Sequence, residues 1–371
     1  MIQRQRMRML VDELAALAPR LERPAHIMEV CGTHTVNACR SGVHSLMPPS
    51  VRLISGPGCP VCVTAQRYID ALVALGRRGD VTILTYGDML RVAGAGGSLE
   101  LARSEGADVR VVTSTLEALE LARRDPTREM VFAAVGFETT APATAAAVLQ
   151  ARAEGIANFS VLPCHKLVLP AMRTLLNDPD TRIDGFVCPG HVSVIIGAEA
   201  YRPIVDEFAK PCVVTGFEAL QIMQGLVHIV RQIVEGAARL ENLYPEVVSS
   251  EGNRRAQELI ANVFVPGDAA WRALGEMPGS GLDLRPEFAA FDAFRRFGIA
   301  LGEDHEPPGC ICGKVITGRA TPVECRLFGR VCTPVYPVGP CMVSSEGTCQ
   351  AWFKYRRHEL ETSRAPAEAS T

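Results

Sequence analysis

The chain has 371 residues, of which 47% are hydrophobic and 21% charged, and its 38 basic and 41 acidic side chains leave a net charge of −3. That balance excludes a polybasic nucleic-acid or membrane-surface binder, and no run approaches the ~18–20 uninterrupted apolar residues that a bilayer span needs. At roughly 150 residues per domain, the length predicts two or three domains with enough apolar material for a sizeable core.

At the N-terminus, Arg4, Arg6 and Arg8 are followed by Asp12 and Glu13 with no apolar stretch between them. That is not a signal peptide, so the chain is expected to be cytoplasmic. Met7, Leu10, Leu14, Leu17 and Leu21 recur at spacings of three and four, which predicts an amphipathic helix over 7–21 packed on the protein's own body.

From residue 26 onward, short apolar runs alternate with helical patterns. Strands are predicted at 26–30, 51–55, 81–86, 109–113, 130–135, 159–163, 185–187 and 212–215. Helices are predicted at 65–77, 116–123, 141–154 and 218–235. Several of the strands are continuously apolar, as in sheets covered on both faces. The alternation predicts an α/β class with mostly parallel sheets. Gly136-Phe137-Glu138 follows one strand and opens one helix, and Gly216-Phe217-Glu218 does the same 80 residues later. This echo, with Cys164-His165 and Cys188-Pro189-Gly190-His191 at two other strand exits, suggests two related halves.

The first group of chemically distinctive residues is Glu29-Val30-Cys31-Gly32-Thr33-His34, at a predicted strand end. The next predicted strand runs into Gly56-Pro57-Gly58-Cys59-Pro60-Val61-Cys62 and then a helix. In open α/β sheets, ligands bind outside the carboxyl ends of strands, where both motifs fall. A C-x-x-C at a helix N-terminus favours thiolate over thiol. Its two sulfurs can ligate one metal or close into a disulfide. Three soft thiolates suit iron, zinc or copper(I), and a single pair plus Cys31 leaves an open site rather than a closed structural one. Cys39 falls on the helix after the first motif and reads as core.

Gly94-Ala-Gly-Gly97 follows a helical segment rather than a strand and is no dinucleotide fingerprint. In Gly136-Phe-Glu-Thr-Thr140-Ala-Pro142, Thr139 or Thr140 reads as a helix cap with Pro142 in the first turn. Glu138 is the competing candidate for a site carboxylate. His165 and His191 read as structural histidines. Helical pattern continues at 254–264 and 287–297. From 307 to 347 the chain is rich in Gly, Pro and Cys and has no amphipathic period, so a metal or cluster must hold it. Gly309-Cys-Ile-Cys-Gly313-Lys314 lacks the spacing of a P-loop.

Cysteine usage is uneven, with six of the 13 between Cys310 and Cys349. An odd count in a reducing compartment argues against a disulfide framework. Cys310, Cys312, Cys325, Cys332, Cys341 and Cys349 lie in a Gly/Pro-rich run and fit a four-thiolate iron–sulfur cluster better than zinc. Spacing alone does not say which two of the six are left over. No C-x-x-x-C-x-x-C occurs, so the chain is no ordinary radical S-adenosylmethionine enzyme.

Together, Cys31-Gly-Thr-His34, Gly58-Cys-Pro-Val-Cys62, Gly136-Phe-Glu-Thr-Thr-Ala-Pro142, Cys188-Pro-Gly-His-Val-Ser-Val194 and the Cys-rich C-terminus resemble the HypD family of hydrogenase maturation factors, in the same order from about residue 25 to 355. The resemblance implies a scaffold for building the Fe(CN)2CO group of [NiFe]-hydrogenases. The implied partners are a HypC-type small chaperone, a HypE-type donor of cyanide as a thiocyanate and, through them, the hydrogenase large subunit. It also implies two related α/β domains and a small Cys-rich domain with a [4Fe–4S] cluster. On this chain those are expected at 25–150, at 151–245, and at 1–24 with 246–361, followed by a disordered tail at 362–371. By the family motif, Cys31, Cys59 and Cys62 are the iron and redox thiols, and Cys310, Cys325, Cys332 and Cys341 hold the cluster. His34 and Glu138 are expected to position or hydrogen-bond an incoming group. The competing expectation is a thiol-disulfide oxidoreductase with an iron–sulfur relay, or a zinc-stabilised interaction protein.

Overall fold

Continuous apolar runs become buried parallel strands. In the computed structural model, which describes residues 2–357, β1 (Ala25–Glu29), β2 (Val51–Ser55), β3 (Val81–Thr85), β4 (Asp108–Val111), β5 (Glu129–Gly136), β6 (Phe159–His165), β7 (Gly185–Cys188) and β8 (Cys212–Val214) sit where the apolar runs predict strands. Every residue of β3 and β6 is buried, as a sheet covered on both faces requires. β9 (Leu240–Asn242) is a three-residue strand without an apolar run of its own, and it completes an edge.

The strands assemble into two parallel sheets. One has the order β2-β1-β7-β8-β9 and the other β4-β3-β5-β6. Numbered within each sheet, the first runs 2-1-3-4-5 and the second 2-1-3-4, so each has its switch in strand order between its first and third strands. This shared order is the structural content of the motif echo. The linear division expected at residue 150 does not describe the sheets. β1 pairs with β7, as Ile27 with Gly185, so β1 and β2 share a sheet with the later strands β7 to β9, while β3 to β6 form the other sheet.

The helix Ile2–Leu17 continues as a single turn of tighter helix, Ala18–Arg20, and packs against the helix Ala219–Glu235. Leu14 and Leu17 are buried there among Ile222, Leu226 and Val230. Leu14→Ala is expected to lower the unfolding free energy by about 3 kcal/mol, the typical cost of a Leu-to-Ala cavity. Urea denaturation reads this directly, and a loss under about 1 kcal/mol would mean that the helix docks loosely. Among the described residues, no helix is long and apolar enough to cross a membrane.

A hairpin lies where the sequence shows no strand signal. β10 (Phe264–Trp271) and β11 (Gly275–Leu284) pair antiparallel with an irregularity at Gly267/Ala269. Pro266, Gly267, Pro278 and the glycines of β11 depress strand propensity, and tertiary contacts supply the stability instead. The Trp271 indole donates to Ser280 Oγ at 2.9 Å, and Leu167 N–H donates to the Ser280 carbonyl at 2.9 Å. At the hairpin tip, Arg272 N–H donates to the Val63 carbonyl at 2.8 Å. The hairpin thus ties the end of β6 to the Cys59–Cys62 segment. The helix expected over 287–297 is broken in two, Pro286–Phe291 and Ala293–Phe297. Asp292 is extended between them, and its carboxylate accepts the Phe294 N–H. The tail expected to be disordered, 362–371, lies outside the described residues.

Candidate functional site

Both switch points open into one cleft. A cavity of about 790 Å3 is lined from the first sheet by Val30, Cys31 and Thr33 after β1 and by Pro189, His191 and Val192 after β7. From the second sheet it is lined by Tyr86, Gly87 and Asp88 after β3 and by Phe137, Thr139 and Thr140 after β5. Strand order alone places ligand crevices at these positions, and here two of them face each other. Gly58, Pro60 and Val61 form its floor, and Ser344–Glu346 of the C-terminal region line one side.

Cys31 is the N-cap of the helix Gly32–Arg40 and has extended backbone angles. The backbone N–H groups of Thr33 and His34 favour its thiolate, but burial, with a smaller push from the Glu346 and Glu29 carboxylates, raises it to about 12. Cys31 is therefore a thiol at neutral pH until a cation displaces its proton. Gly58 brings the second motif against it. Gly32 N–H donates to the Gly58 carbonyl at 3.3 Å, and a Cβ on Gly58 would lie 2.3 Å from the Cys31 nitrogen.

Cys59 and Cys62 are joined as a disulfide, with their Cα atoms 5.2 Å apart. Cys59 caps the helix Pro60–Val63, its sulfur accepting the Cys62 N–H at 3.2 Å. Both are buried beneath the cleft floor, and the C-terminal side of the pair faces the Cys-rich region. Cys62 Sγ lies 4.0 Å from the carbonyl oxygen of Pro340, the residue before Cys341. As a disulfide the pair holds no metal; two electrons and two protons convert it to thiols that can. Among the described residues, no group of three or more His, Cys, Asp or Glu side chains is arranged to hold a metal ion.

The six C-terminal cysteines, Cys310, Cys312, Cys325, Cys332, Cys341 and Cys349, all line one small enclosed pocket with Val315, Phe328 and Met342. Backbone N–H groups point at two of the sulfurs: Val338 to Cys332 at 3.3 Å and Cys349 to Cys341 at 3.4 Å. Hydrogen bonds from Cys312 and Cys349 hold Cys341 well below the ordinary thiol value, while Cys312 itself is pushed up. A Cβ on Gly339 would come within 2.7 Å of Cys310 Sγ, so glycine lets the chain lie against that thiol without displacing it. In donor chemistry, though not in their present spacing, thiols in apolar surroundings with amide donors to sulfur suit an iron–sulfur cluster. Cys310, Cys325, Cys332 and Cys341 are all present in the pocket, and Cys312 and Cys349 share it.

Several of the remaining candidates are placed differently from expectation. His34 is fully buried and does not reach the cleft. Its Nε2 lies 3.0 Å from the Gly216 carbonyl and 3.2 Å from Thr215 Oγ1, and burial lowers it to about 4. A neutral ring there ties the Cys31 motif to the exit of β8. Glu138 also points inward, accepting the Val168 N–H at 2.9 Å at the start of the helix Val168–Asn177. Thr140 occupies the N-cap position of the helix Ala141–Glu154 but makes no capping bond; its hydroxyl donates to the Phe137 carbonyl. His165 bonds Thr144 and is held neutral by burial, a structural histidine as read from sequence. His191, also read as structural, lines the cleft, with its ring on Phe217 at 4.1 Å and His34 at 4.6 Å on Phe217 as well. Its place after a strand, like that of Cys31, was the available signal. Asp88 and Glu346 carried none. Asp88 accepts from Ser344 and Ser345, and Glu346 accepts from Thr33 at 2.8 Å, across hundreds of residues of chain.

Burial raises the Glu138 carboxyl to about 7. The folded state then keeps a proton that the unfolded chain releases near 4.5, so stability falls as pH rises through that window. Glu138→Gln retains the acceptor for Val168 N–H and removes this dependence. Relative to the parent it is expected to match at pH 4.5 and to gain roughly 2–3 kcal/mol by pH 8. Denaturant titrations at both pH values check this, and a difference that does not change with pH rules out a buried neutral carboxyl.

Comparison with known proteins gives one consistent result. The family model HypD, described as "Hydrogenase formation hypA family", matches residues 5–356. The chain is 46% identical over 351 residues to Hydrogenase maturation factor HypD of Rhodobacter capsulatus, covering 93% of this chain and 92% of that protein. It is 45% identical over 359 residues to the HypD of Rhizobium leguminosarum bv. viciae, covering 94% and 93%. It is 45% identical over 357 residues to that of Escherichia coli K12, covering 95% and 96%.

Proposed function

The chain belongs to the HypD family, and on that premise we propose that this hydrogenase maturation protein is the scaffold and redox partner on which the Fe(CN)2CO group is assembled. The supporting observation is the contact between its two sulfur sites. Cys31 opens into the cleft, the Cys59–Cys62 pair lies under its floor, and Cys62 sits 4.0 Å from the backbone that carries Cys341.

In this reading the iron fragment is cargo. Cys31 holds it as a thiolate, a soft anionic donor suited to ferrous iron carrying cyanide and carbon monoxide. Reduced Cys59 and Cys62 complete the ligand set and supply electrons. A HypE-type partner presents an organic thiocyanate in the cleft, and a HypC-type chaperone shares the iron before it passes to the hydrogenase large subunit. The dithiol loses two electrons and two protons and closes its S–S bond. The S–CN bond takes both electrons and one proton to give a thiol and cyanide, and the second proton is released. A [4Fe–4S] cluster held by Cys310, Cys325, Cys332 and Cys341 would supply electrons one at a time to reopen the disulfide. The segment joining Cys341 to Cys349 does two things for the cleft. Its Ser344 and Ser345 hold Asp88, and its Glu346 holds Thr33 beside Cys31.

Infrared spectroscopy of the complex with the small chaperone, isolated without oxygen, tests the proposal. Bands of iron-bound cyanide and carbon monoxide are expected. A complex that lacks both bands while retaining bound iron would overturn it. The second reading, a thiol-disulfide oxidoreductase, draws on the same Cys59–Cys62 disulfide but leaves Cys31 without a part. It predicts disulfide turnover by the protein alone.

A further inference from the structure

The two most exposed large apolar side chains among the described residues are neighbours, Val335 at 70% and Tyr336 at 75%, and Val331 at 63% is close by in the same loop. The loop is a tight double turn. Gly329 N–H donates to the Cys332 carbonyl at 3.1 Å and Thr333 N–H to the Tyr336 carbonyl at 3.1 Å. The Arg91 guanidinium fixes its outer limb through the Pro334 and Val335 carbonyls at 2.9 and 3.0 Å. These apolar side chains are therefore held outward on an anchored loop. Buried Cys332 lies between exposed Val331 and half-buried Thr333 and lines the thiol pocket. A protein seated on Val331, Val335 and Tyr336 is one residue from that pocket.

The rim is basic. Residues 324–339 include exposed Arg326 and Arg330 and one exposed acid, Glu324, which accepts from Thr321, in a chain whose net charge is −3. A small apolar centre with a cationic rim suits brief electrostatically steered encounters, the class of redox interface below about 1,200 Å2.

We propose that this patch docks a small acidic protein carrying a low-potential one-electron centre, which supplies the electrons that the C-terminal thiol pocket passes on. The inference rests on the reading of that pocket as a cluster site. Reopening the Cys59–Cys62 bond takes two electrons and two protons, and no group of the chain is a net source of either electron. Two encounters, each oxidising one carrier by one electron, meet the requirement, with the protons drawn from solvent.

The test mixes the full-length, oxygen-free, cluster-reconstituted protein with a purified acidic [2Fe–2S] ferredoxin in its reduced state. Carrier oxidation is followed by stopped flow, and dithionite serves as the small-molecule control. Val335→Ser with Tyr336→Ser, and separately Arg330→Glu, are expected to slow ferredoxin oxidation at least tenfold while dithionite reduces parent and variants at equal rates. Added salt is expected to slow the parent. Ferredoxin rates unchanged in both variants overturn the proposal. So does a patch variant that merely converts a dimer to a monomer in light scattering, since the patch then covers a second copy. A preparation with no dithionite-bleachable absorbance instead overturns the cluster reading itself.

Discussion

Cys31→Ala is expected to remove every infrared band of iron-bound cyanide and carbon monoxide from the complex with the small chaperone, while the visible absorbance of the C-terminal cluster is retained. Cys31 is the cysteine among the residues that line the cleft, and Cys59 and Cys62 are screened beneath Pro60 and Val61. Losing its sulfur removes the anionic donor that faces incoming cargo. The substitution deletes a single sulfur atom and leaves the extended N-cap backbone of residue 31 in place. Stability should change by no more than about 1 kcal/mol, so loss of the bands reports chemistry rather than unfolding. Bands that persist at parental intensity would remove Cys31 from the iron site and leave the chaperone to hold the cargo alone.

Gly58→Ala carries the second large effect, and it acts through the backbone. A methyl at this position would lie 2.3 Å from the Cys31 nitrogen, 2.5 Å from its Cα and 2.5 Å from the Val30 carbonyl carbon. These are main-chain atoms at the end of β1, which cannot rotate away. Overpacking of this kind costs about 3 kcal/mol, and the only relief is to separate the two cysteine motifs. The variant is expected to unfold at clearly lower denaturant concentration and to lose iron loading together with that shift. Gly302→Ala is the control, since Gly302 is exposed and a methyl there would meet nothing within 4 Å. Parental stability in Gly58→Ala would show that the motifs are not in contact.

Much of this molecule was legible in the residues. All eight predicted strands are present and parallel; the continuously apolar ones, such as β3 and β6, stand out because both their faces are covered, while the edge strands β2 and β4 are partly exposed. The uneven cysteines marked two sulfur sites because thiols crowded into Gly/Pro-rich chain follow no amphipathic period. The individual site residues were less legible. His34 and Glu138 carry the right chemistry at the right strand exits, yet both turn inward to backbone partners. His191, at a similar exit, stays in the cleft. Side-chain direction at a strand exit depends on the following turn and on what packs over it, and one position's residue type does not encode that.

Local periodicity, spacing and motif order were enough to set the α/β class, the positions of the parallel strands, the two thiol groups and the family. They were not enough to set that β1 pairs with β7 across the chain, that both switch points face one cleft, or that the β10–β11 hairpin braces Val63. Nor did they set that Cys62 meets the segment bearing Cys341, or that all six C-terminal thiols share one cage. Those features came from the folded chain, because each joins residues tens to hundreds of positions apart. Their free energy comes from burial and hydrogen bonds that exist only once both partners are in place.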